Sequence, residues 1–333
     1  MAASNAPLTP ATINRLRSQA VPPMAMLAGM QLELFTPLGE GPMSATDLAA
    51  ALGVDPVKLS PLLYSLVSAE LLTVDRGLFG NTDEAGHFLV KGRAAYIGGV
   101  HELLSILWGA TWHTAETIRS GKPQAKEDFG AMSEDELRPF MRGLHPGALA
   151  EGRGLAKVFD LPKFRHLIDV AGGSGGLAIG ACEACPGLRG TVVELPNTVP
   201  IARDFVEEAG MADRIDVQAH DLIGDPPQGS YDLAVLRNFL QVLSAEQCRA
   251  VLKHVGEVLE PGGAIHILGH ALDDSRLAPA PSVGLNLFFI NAFDDGQAYT
   301  EQEHRDWLDE ADFAEFRREI MPDGRSAITA RKG

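Results

Sequence analysis

The chain is poor in cysteine and in positive charge, and it lacks long apolar runs. Three cysteines in 333 residues cannot build a disulfide framework, which points to a reducing, cytoplasmic setting. Cys182 and Cys185 form a C-x-x-C with no second pair, so they read as small buried side chains and no metal site is expected. With 28 Lys and Arg against 44 Asp and Glu, the formal charge is −16. That sign disfavours nucleic acid and anionic membrane surfaces. No apolar run approaches the ~20 residues of a membrane span. Met1-Ala-Ala-Ser-Asn-Ala-Pro7 has no basic segment followed by an apolar one, so no secretion signal is expected.

Glycine is plentiful where it matters most. His166-Leu-Ile-Asp-Val-Ala-Gly-Gly-Ser-Gly-Gly176 reads as a buried strand running into a glycine loop, followed by a helix-forming stretch from Leu177. Gly172, Gly173 and Gly175 let the backbone turn sharply and let a ligand approach the main chain. Glu194 ends the next strand, 25 residues after Asp169, where an acid can accept from two ribose hydroxyls. A dinucleotide loop would read G-x-G-x-x-G. The order here, with Asp169 ahead of the loop, resembles the first motif of S-adenosylmethionine (SAM) methyltransferases, and an acid suits the cationic amino-acid end of SAM. A nicotinamide enzyme and a turn with no ligand are the alternatives on this motif alone.

Before the loop, 10–36 reads as two helices separated at Pro22-Pro23. Ser44 to Leu52 is a capped helix ended by Gly53, and Asp55-Pro56 opens another through Val67. Leu71 to Phe79 reads as a hairpin. Three helices and a hairpin make a winged helix. Its last helix before the hairpin, 56–69, carries only Lys58 as a cation, so dimerisation is expected of the module, not DNA binding. A single apolar helix over 94–120 and a polar loop over 123–138 follow. After Glu194 the expected elements are a helix at 198–209, strands at 215–221 and 232–236, and a helix at 244–259 closed by Glu260-Pro-Gly-Gly263. A strand at 264–269, a helix at 301–311 and a strand at 326–331 complete them. The class is α/β, a mostly parallel sheet with helices on both faces. The expected organisation is 1–95 winged-helix dimerisation, 96–150 helical connector and pocket wall, and 151–333 cofactor binding.

Several blocks in fixed order resemble a family of small-molecule O-methyltransferases that dimerise through an N-terminal winged helix. They include Asp47-Leu-Ala-Ala-Ala-Leu-Gly53, Leu62-Leu-Tyr-Ser-Leu66, Asp169-Val-Ala-Gly-Gly-Ser-Gly175, Glu194-Leu-Pro196, Ala219-His-Asp221, Leu236-Arg-Asn-Phe-Leu240 and Leu285-Asn-Leu287. The resemblance implies a Rossmann-like methyltransferase sheet, a homodimer and SAM as cofactor. It implies that the Asp169–Gly175 loop holds the methionine part and Glu194 the ribose. Asp221 and Leu222 would serve the adenine region, flanked by Leu195, and Arg237 stands where the family often has Lys near the cofactor.

The chemistry departs from the family. Its His-Asp-Trp block, whose His deprotonates the acceptor hydroxyl, aligns with Gln241-Val242-Leu243. Glutamine accepts no proton near neutral pH. The acids that orient the His fall at Leu268-Gly269 and Ala298. The expected reaction is therefore transfer to an acceptor needing no deprotonation, such as a thioether, with Gln241 positioning it. The alternatives are a relocated base, His145 or His270, and an enzyme that binds SAM without transferring methyl. A non-catalytic dimer is a further alternative, which the glycine loop with Glu194 and Asp221 opposes.

Overall fold

The computed structural model describes residues 8–333. The chain falls into two compact units, one ending at Gly109 and one spanning Ala110–Gly333.

In the first unit, α1 (Ala11–Gln19) and α2 (Val21–Gln31) meet at Ala20, with Pro22 and Pro23 in the first turn of α2. Proline is tolerated there because those amides lack helical partners. Strand β1 (Met43–Ser44) leads into α3 (Ala45–Leu52). Ser44 Oγ caps α3 by accepting from Asp47 N at 3.2 Å, and Gly53 ends it at φ 68°. Asp55 caps α4 (Pro56–Ser68), accepting from Val57 N at 2.7 Å. Hairpin β2 (Leu72–Asp75) and β3 (Leu78–Asn81) follows, with β1 on the other side of β3, and then α5 (Asp83–Phe88). Leu34, Phe35, Leu48, Leu63 and Leu66 form the core of this unit.

The single helix expected over 94–120 is instead α6 (His101–Thr111) and α7 (Thr114–Ser120). The chain breaks at Trp112-His113, where the Thr114 hydroxyl donates to Thr111 O at 2.6 Å. Nor does the polar loop reach 138. A capping box of Ser133 and Glu136 starts α8 (Glu134–Val158), which runs without interruption across residues 150–151.

The second unit carries a seven-stranded sheet. Its strands are β4 (His166–Val170), β5 (Arg189–Glu194), β6 (Ile215–Ala219), β7 (Tyr231–Arg237), β8 (Leu259–Gly269), β11 (Phe313–Ile320) and β12 (Ser326–Lys332), in the order β11-β12-β8-β7-β4-β5-β6. Two short strands, β9 (Ala271–Leu272) and β10 (Tyr299–Thr300), pair apart from it. Helices α9 (Gly176–Ala184), α10 (Val199–Glu208), α11 (Ala245–Val258), α12 (Ala280–Ala292) and α13 (Glu301–Glu310) connect the strands. All neighbours from β6 to β8 are parallel, and β12 runs antiparallel between β8 and β11. Residues 260–263, expected to close a helix, belong to the start of β8 instead. The central strands are buried on both faces, which explains their continuous apolar runs.

The strand order reverses between β4 and β7. Connections leave in opposite directions there, so a crevice opens at the carboxyl ends of these two strands. Helix α8 fixes the loop after β4 from one side. A Cβ on Gly152 would strike the Leu177 carbonyl, and one on Gly180 would strike the Leu149 carbonyl, so α8 and α9 cross at backbone contact.

Candidate functional site

The loop after β4 is shaped by left-handed backbone at Ala171 (φ 52°), Gly173 (φ 60°) and Gly175 (φ 70°). Asp169 is 1% exposed. Its Oδ2 accepts from Ala178 N at 3.2 Å, while Oδ1 has no partner in the protein. Burial pushes its carboxyl up to about 7. A Cβ on Gly172 would come within 2.7 Å of Asp169 Cγ, so only glycine fits over the carboxyl. Glu194, at the end of β5, accepts from Gly173 N at 2.8 Å and from Leu195 N at 2.7 Å. Burial raises this carboxyl too. Two amides leave each of its oxygens a further lone pair.

The other expected cofactor residues divide. Asp221 lies two residues beyond β6, exposed, its carboxylate accepting from Ile223 N at 3.0 Å. Leu195 is half-buried beside the loop at Gly130. The Leu222 side chain is buried with Val193 and Leu236, because the chain after Asp221 turns inward. Arg237 is not free to meet a ligand alone. Its Nε lies 2.6 Å from the buried carboxylate of Glu151 on α8, which also holds Arg325 at 2.9 Å.

The two candidate histidines lie in different places. His145 on α8 sits at the glycine loop, its Nδ1 2.8 Å from Ser174 Oγ and its ring stacked on Phe205 at 4.2 Å. Burial lowers its pKa. His270 follows β8, its Nδ1 3.1 Å from Ser282 Oγ. Burial, with Arg325 nearby, lowers it to about 4. Gln241 is 6% exposed and lines one small cavity with Gly269, His270 and Ser326. A Cβ at position 269 would lie 2.8 Å from Gln241 Oε1, so the carboxamide occupies room that a larger side chain at 269 would need. Ala298 is fully buried, its N–H donating to Asn286 Oδ1 at 2.8 Å.

Sequence reading missed three features of this region. The Glu151–Arg237–Arg325 network joins residues far apart in the chain. A ring cluster joins Phe129, Phe288, Phe289 and Phe293, with His270 5.9 Å from Phe289. Asn238, directly after β7, has φ 53° and a buried Oδ1 without a partner. Among the described residues no group of three or more His, Cys, Asp or Glu could hold a metal ion.

This loop fits SAM. An unpaired buried carboxylate oxygen suits a cationic amino group, and the glycine cradle over it admits a ligand where a Cβ would not. The fold and loop together define a SAM-dependent methyltransferase. The family model for the O-methyltransferase domain matches residues 112–314, and that for the O-methyltransferase dimerisation domain matches 15–91. The chain therefore belongs to the O-methyltransferase family, and the dimerisation match supports a homodimer. It is 30% identical to a 3-hydroxy-5-methyl-1-naphthoate 3-O-methyltransferase of Streptomyces sahachiroi, over 88% of this chain and 86% of the relative. It is 26% identical to the N,N-dimethyltransferase OxyT of Streptomyces rimosus, over 87% of this chain and 86% of the relative. The crystal structure of human N-acetylserotonin methyltransferase in complex with SAM superposes with a TM-score of 0.81, at 26% identity and full coverage of both chains.

Proposed function

We propose that this methyltransferase acts on an acceptor atom that needs no deprotonation. The observation that carries the reading is the packing of Gln241 on Gly269; Ala298 is fully buried. Three positions that serve proton transfer in the family here hold a carboxamide, a hydrogen and a methyl. When bound, SAM supplies an activated cationic methyl group, so transfer requires alignment more than acid–base help. A thioether, an amine that is neutral at working pH or an ionised carboxylate meets that condition; a phenol does not. That one relative is named an N,N-dimethyltransferase supports the reading, since its name places a nitrogen acceptor within reach of this fold.

The residues have these roles. Asp169 Oδ1 takes the cationic amino end, Glu194 the ribose hydroxyls, and Asp221 with Leu195 the adenine end. Arg237, held by Glu151, closes the crevice beside them. Gln241 positions the acceptor. The dimerisation module lies within residues 15–91, and the SAM loop belongs to the second unit. The three unpaired, buried cysteines support a reducing, cytoplasmic setting.

The test is SAM turnover with phenol, thioether, amine and carboxylate acceptors, following S-adenosylhomocysteine (SAH) and methylated product together. Methyl transfer to phenols alone would return the protein to ordinary base chemistry, with His270 as the first residue to mutate. Product formed without SAH would mean that SAM has a structural role in another reaction.

A further inference from the structure

Two side-chain oxygens at the carboxyl ends of the neighbouring strands β4 and β7 are buried without a partner. Asp169 Oδ1 belongs to the cofactor loop. The other is Asn238 Oδ1, on the first residue after β7. The Asn238 N–H donates to Leu268 O at 2.7 Å, which pins the backbone at the end of β8. Its φ of 53° is left-handed, a conformation that non-glycine residues rarely adopt and that Asn and Asp tolerate best. Three residues later comes Gln241.

An orphaned buried carbonyl oxygen is costly, and native structures rarely leave one without a partner. Asn238 therefore awaits a donor that the folded chain does not supply, at the end of the strand beside β4 and three residues before Gln241. We infer that Asn238 Oδ1 receives an N–H from the molecule being methylated, and that this molecule is a ring-conjugated primary or secondary amine. The inference rests on the base-free reading above and narrows it. A thioether and a carboxylate have no hydrogen to give. An alkylamine is protonated near pH 7 and would need a base, as a lysine side chain would. An amine conjugated to an aromatic ring is neutral, carries a lone pair and keeps an N–H.

In the step, the nitrogen lone pair forms the N–C bond to the methyl carbon. The C–S bond breaks and its electron pair stays on sulfur, giving SAH. The nitrogen becomes cationic and loses its proton to water after release. Positive charge grows on nitrogen during transfer, so the hydrogen bond to Asn238 Oδ1 strengthens in the transition state.

The experiment compares the wild-type enzyme with Asn238→Gly and Asn238→Asp. Both replacements accept left-handed backbone, and only Asp keeps an acceptor oxygen. The probes are aniline, N-methylaniline, thioanisole and phenol, with their naphthalene counterparts, and product is identified by mass spectrometry. Arylamines should be methylated by the wild type. Asn238→Gly should lose about 10- to 100-fold in kcat/KM, with kcat falling, and Asn238→Asp should recover most of it. SAH affinity by calorimetry should not change in either variant. A thioether preference, or unchanged arylamine kinetics in Asn238→Gly, overturns the inference and leaves the base-free reading standing. A loss of SAH affinity matching the kinetic loss assigns the oxygen to the cofactor and overturns it too. Phenols as the sole acceptors, or no product from any probe, remove both.

Discussion

The carboxyl ends of β4 and β5 and those of β7 and β8 lie along one edge of the same sheet, yet they are built differently. The first pair shapes its site with backbone: three left-handed residues, a glycine that only just clears a buried carboxyl, and two amides on Glu194. The second pair shapes its site with side chains: Gln241 against Gly269, His270 on Ser282, and the unpartnered amide of Asn238. A site made of backbone is tied to the path of the chain and is hard to alter without disturbing the fold. A site made of side chains can lose its base and both supporting acids while β7 and β8 stay in register. The difference accounts for the proposed reading, in which one chain keeps a family's cofactor loop and changes its proton chemistry.

The largest effect should come from the backbone side. Gly152→Ala forces a methyl into the Leu177 carbonyl and prises α8 from α9. We expect a loss of about 3 kcal/mol in denaturant unfolding, together with weaker SAM binding. A near-neutral variant would mean that the helix crossing is not what seats the loop.

Acid should act next, through buried histidines. His266, its ring tilted against Phe159 with centroids 4.6 Å apart, and His270 are both held down to about 4 by burial, below the ordinary 6.5. Between those values the unfolded chain binds protons that the fold does not. Stability is therefore complete above pH 6.5 and declines as pH falls toward 4, by on the order of 2–3 kcal/mol for each residue. Urea midpoints at pH 7 and 4.5, compared with those of His270→Asn, measure this. The same depression means that the arylamine rate should show no inflection between pH 6 and 8 from His270. An inflection there that vanishes in His270→Asn would identify a working base.

Glu194→Ala tests the cofactor end directly. It removes hydrogen bonds to a charged acceptor, and SAM affinity should fall by about 1–3 kcal/mol in calorimetry. Unchanged affinity in a folded variant would remove the ribose assignment. The smallest effect should come from Gln241→His. An imidazole there has no carboxylate at 269 or 298 to orient it, so the gain on phenols should stay below about tenfold. A larger gain would show that the missing base alone defines this acceptor site.

Much of the cofactor end was legible in sequence because its signals are local. A strand, four glycines and an acid after the next strand are contiguous pieces, each with its own conformational reason. Gln241, Gly269 and Ala298 stood out in the sequence as well, because they fall in recognisable blocks. Helix α8 was not. Pro139, Pro146 and several glycines disguise it, and it stands because it packs against α9, not because its residues favour helix. Strand β11 was hidden by charge: Glu315, Arg317 and Glu319 face solvent at the sheet's edge, where charged side chains block further pairing.

By itself the sequence determined the α/β class, the helical N-terminal module, and the glycine loop with Asp169 ahead of it and Glu194 after the next strand. These follow from periodicity, turn chemistry and residue type over short spans. Only the tertiary structure decided that Arg237 is clamped by Glu151, that His145 belongs to the glycine loop while His270 belongs with Gln241, and that Asn238 is left with an unmet oxygen. Those outcomes depend on which atoms from distant segments arrive within 3 Å of one another, and on which fail to arrive. No local pattern records that.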